Sequence, residues 1–63
     1  MTKFEQEIHD VVTGAGKAVA AHEIVKLLAD RGIVRTLEAV AADVEEMEKA
    51  GFLWRPPVYV TRG

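Results

Sequence analysis

The side chains able to do chemistry in this 63-residue chain are few, and their spacing points away from catalysis. His9 and His22 are separated by a helix end and a loop, and neither has a second ligand three or four residues away, so no metal site is expected. Cysteine is absent, which removes disulfides, thiolate nucleophiles and Cys-based zinc sites together. There is no Ser-His-Asp or Cys-His set and no carboxylate pair in an evident cleft, so no enzyme activity is expected. The run Thr13 to Lys17, TGAGK, superficially resembles a phosphate-binding loop. The full motif needs glycines further apart, a Ser or Thr after the lysine and a strand before the loop. Here Ala18 follows and a helical pattern precedes, so the run reads as a linker, and no cofactor is expected.

What remains is charge and apolar surface, both unevenly spread. The formal net charge is −2, yet the segment 35–48 sets five carboxylates against Arg35 alone, and the segment 49–63 carries Lys49, Arg55 and Arg62 with no acid. Those three cations are candidates for phosphate contact, with Lys17 and Lys26 as lesser ones. The bland alternative is solvated charge that keeps a strand edge from aggregating. Glu45 and Lys49, four residues apart, read as a solvent-facing ion pair. Trp54 lies beside Pro56, Pro57 and Tyr59, a combination that anchors partners when exposed; the alternative folds Trp54 over the core of a domain short of apolar residues.

The positioning elements follow from apolar periodicity. A domain this small buries only about 60% of the surface of its unfolded chain, so nearly every large apolar side chain is expected inside. Phe4, Ile8, Val11 and Val12 share one face of a first helix over 3–13, with Thr2 and Glu5 at capping-box spacing and Gly14 and Gly16 as stops. Lys17 to Val19 is long enough for a short strand. A second helix over 21–31 buries Ile24, Leu27 and Leu28; Ala20 stands at its N-cap, Glu23 at its third position, and Gly32 stops it. Ile33 and Val34 are expected to plug the connection. A third helix starts at Arg35 or Thr36 and ends at Ala50, with Leu37, Val40, Val44 and Met47 inward and Arg35, Glu38, Ala39, Ala42, Glu46 and Lys49 outward. After Gly51, the run FLWRPPVYVTR reads as a hairpin whose adjacent prolines require a cis Pro57 or a wider loop. The longest apolar runs are short and broken by charge, and TKFEQEIHD begins acidic, so a cytoplasmic chain with no membrane span is the expectation.

This order of elements resembles the winged helix-turn-helix superfamily over almost the whole chain. The most specific residues are Met47, Glu48, Gly51, Phe52 and Leu53 in MEKAGFLWR, similar to the end of a recognition helix and the first wing strand, with VYVT over 58–61 similar to the second. The resemblance implies an α+β fold: three helices, a C-terminal two-stranded hairpin wing and a short strand between the first two helices. It also implies a small transcriptional regulator that binds double-stranded DNA as a homodimer, contacting it through Arg35, Thr36, Glu38, Lys49, Arg55 and Arg62. Read from the residues themselves, Ala39, Ala42 and Glu46 stand where Arg, Gln, Asn, Ser or Thr would read bases. The second reading is therefore a non-catalytic protein-interaction module or small inhibitor. Its surface is Glu38, Glu45 and Glu46 with Trp54, Pro56 and Tyr59, facing a basic protein partner.

Overall fold

Local sequence closes three helices, α1 (Lys3–Ala15), α2 (Ala21–Asp30) and α3 (Leu37–Lys49), and their ends show why. The computed structural model describes residues 2–54 and 60–61, with side chains to residue 53. Thr2 and Glu5 form the expected capping box: the Thr2 amide donates to Glu5 Oε1 at 2.8 Å and the Glu5 amide donates to Thr2 Oγ1 at 3.2 Å. Thr36 caps α3 in the same manner, its Oγ1 accepting from the Ala39 amide at 3.1 Å. The cap of α2 is half made. Glu23 Oε1 accepts from the Ala20 amide at 3.3 Å, but Ala20 has no side-chain acceptor to return to the first turn.

The C-termini of α2 and α3 end alike. Gly32 adopts φ 80° and Gly51 φ 87°, where a side chain would be strained. In each case the next amide reaches back over the helix end: Ile33 N–H donates to Leu28 C=O at 2.9 Å, and Phe52 N–H donates to Met47 C=O at 2.9 Å. Gly14 does not end α1, which continues to Ala15 and closes at Gly16.

Among the described residues, the three helices pack against one another around ten buried apolar side chains. These are Ile8, Val11 and Val12 from α1, Val19 from the connection, Ile24 and Leu28 from α2, Val40, Val44 and Met47 from α3, and Leu53 beyond it. Leu27 and Ile33 pack against this core in partly buried positions. Leu53 belongs to β1 (Leu53–Trp54), which pairs antiparallel with β2 (Val60–Thr61) in the register Leu53↔Thr61 and Trp54↔Val60. Among the described residues no helix is long and apolar enough to cross a membrane.

Several expectations are corrected here. The α+β winged helix-turn-helix class does not hold: the described residues form a mostly helical three-helix globule, with no hairpin of wing dimensions. Among the described residues strand pairing amounts to two residues on each side, too little to stand as a sheet without the helices. The expected short strand between α1 and α2 is reduced to a bridge at Val19. Residues 55–59, where the hairpin turn with a cis Pro57 or a wider loop was expected, lie outside the described residues, as does the burial of Trp54. Three residues assigned to the interior are also open to solvent: Phe4 is 47% exposed, Leu37 51% and Val34 89%. Phe4 and Leu37 lie in the first turns of their helices.

These end structures give a paired expectation. Ala20→Ser, which supplies the missing acceptor at a residue already in extended N-cap geometry (φ −83°, ψ 163°), stabilises the fold by about 1 kcal/mol, or about 4–8 °C in Tm for a domain of this size. Gly32→Ala meets nothing within 4 Å, so its cost of about 1–2 kcal/mol comes from the backbone alone. Thermal and urea melts of the two variants read both shifts; a neutral Gly32→Ala would mean that the α2 terminus rearranges freely.

Candidate functional site

Of the residues assigned to a nucleic-acid contact, Arg35, Thr36 and Lys49 have partners within the fold, and Arg55 and Arg62 lie outside the described residues. Arg35, expected on the outer stripe, turns inward just before α3 begins. Its Nη2 donates to Asp43 Oδ2 at 3.1 Å, and its Cζ lies 4.2 Å from the centroid of the Phe4 ring. Only 19% of the Arg35 side chain and 28% of the Asp43 side chain remain exposed. A guanidinium suits this place because it presents a flat face to the ring and an edge to the carboxylate at once. The clasp ties the start of α1 to α3. Among the described residues, Arg35 Nη1 and Oε2 of Glu7, one turn along α1 from Phe4, are buried without a hydrogen-bond partner. The guanidinium is thus committed to the fold, and its charge is compensated before any ligand arrives.

The other helix-borne candidates are also engaged. The Thr36 hydroxyl holds the α3 cap. Lys49 Nζ lies 3.5 Å from Glu45 Oε1 and 3.9 Å from Glu46 Oε1, so the expected Glu45–Lys49 pair is present and shared with a third residue. With 63% of the lysine side chain exposed, this is a solvated cluster rather than a locked one. Leu37, Glu38, Ala41, Ala42, Glu45, Glu46 and Lys49 make up the exposed surface of α3, three carboxylates against one ammonium. Asp43 and Glu48 are half-buried at its edges, and Ala39, assigned outward, is half-buried as well. Of the remaining candidates, Arg55, Pro56, Tyr59 and Arg62 lie outside the described residues, as does the side chain of Trp54.

Sequence periodicity missed one feature. An open groove of about 350 Å³ runs between the end of α1 and α2, with Val19, Leu27 and Ala15 in its floor and Lys17, Lys26, Glu23 and Asp30 at its rim. Lys17 and Lys26 are therefore neighbours across this groove, with Lys17 Nζ 3.9 Å from Glu23 Oε2. No signal along the chain joins residues 15–19 to one face of α2; only the packing does. Both lysines share the rim with a carboxylate, which leaves a mixed-charge surface rather than an anion site. His9 is half-buried and His22 exposed, and among the described residues no group of three potential metal ligands comes together.

The clasp predicts a measurable coupling. Arg35→Ala lowers stability by about 1–3 kcal/mol, Arg35→Lys recovers only part of it, and a double-mutant cycle of Arg35→Ala with Phe4→Leu yields about 0.5–1 kcal/mol of interaction energy. Lys49→Ala in the same urea titrations changes stability by less than about 0.5 kcal/mol. Additive effects at Arg35 and Phe4 would remove the stacking contact from the account. No protein-family model matches the chain, and neither the curated proteins nor the solved structures include a match to it.

Proposed function

We propose that this chain is a non-catalytic protein-interaction module that docks a basic protein surface on the outer face of α3. The observation that carries this reading is the charge left on that face. Glu38, Glu45 and Glu46 point to solvent, the lone Lys49 is shared between two of them, and Arg35 is withdrawn to Asp43. A helix presenting carboxylates repels a phosphate backbone and attracts lysine- and arginine-rich surfaces, including the nucleic-acid-binding face of another protein, which a small inhibitor of this kind would cover. Exposed Ala41 and Ala42 sit among the glutamates and let a partner backbone approach the helix closely.

Double-stranded DNA as the partner has less support. On α3 the reading needs Arg35, Thr36 and Lys49 together, and each has another occupation in the fold. The remaining cations assigned to DNA, Arg55 and Arg62, lie outside the described residues.

One titration separates the two. A fluorescently labelled lysine- and arginine-rich helical peptide is expected to bind at low salt, with an affinity that falls about tenfold or more on raising salt from 50 to 200 mM. Glu38→Lys with Glu45→Lys is expected to abolish that binding, while a labelled duplex of mixed sequence shows none at about 10 µM protein. Salt-dependent duplex binding, with the glutamate variants binding the peptide as wild type does, would overturn the proposal.

A further inference from the structure

We draw no further inference here: the strongest candidate, the open groove between the end of α1 and α2 with Ala15, Val19 and Leu27 in its floor, carries none, because Lys17 and Lys26 share its rim with Glu23 and Asp30 and nothing in the structure shows what covers it.

Discussion

Burial is the constraint to which the rest of the molecule answers. With no cysteine and no metal cluster among the described residues, the fold depends on three helix faces, Val19 and Leu53 sharing a single apolar centre. Ile8, Ile24, Val40, Val44, Met47 and Leu53 are each essentially inaccessible to water, and no buried residue there is polar or charged. At about 25 cal/mol per Å² of apolar surface, such a centre supports a small domain only if little of it is spent elsewhere. The tight helix ends serve the same need. By turning the chain sharply at Gly32 and Gly51, they return Ile33 and Leu53 to the core within two residues.

The charged residues are arranged around that centre by whether they can leave it. Arg35 is drawn into the seam between α1 and α3 because Phe4 and Asp43 together offer a guanidinium what water would otherwise supply, a flat surface for its face and a carboxylate for its edge. Withdrawal of that cation is what makes the exposed side of α3 acidic. The exposed carboxylates of α3 then face Lys49 alone.

Much of this could be read along the chain, where the relevant physics is local. The Thr2 and Glu5 capping box, the Thr36 cap, the half-cap at Ala20, the turns at Gly32 and Gly51 and the Glu45–Lys49 pair all involve residues within five positions of one another. The inner stripes through Ile8, Ile24 and Val44 follow from helical periodicity with equal directness. The likeness of MEKAGFLWR to a recognition helix and wing strand did not carry the fold class with it. The same residues serve a tight helix end that delivers Leu53 to the core.

Other outcomes depended on contacts between elements distant in the sequence. A helical projection gives the angle of Phe4 and Leu37 but not how much of each a neighbour covers, and about half of each stays exposed. Arg35 follows the polar pattern of an outward residue, and only the meeting of α1 with α3 gives it a ring and a carboxylate to enter. The groove between α1 and α2 likewise exists only once Lys17 and Lys26 are packed opposite one another. The sequence by itself determined where the helices start, stop and turn their apolar sides, because those choices are settled within a few residues by hydrogen bonds and periodicity. Tertiary structure alone decided which ends stay wet and which cation is withdrawn, because burial and ion pairing depend on what a distant element brings near.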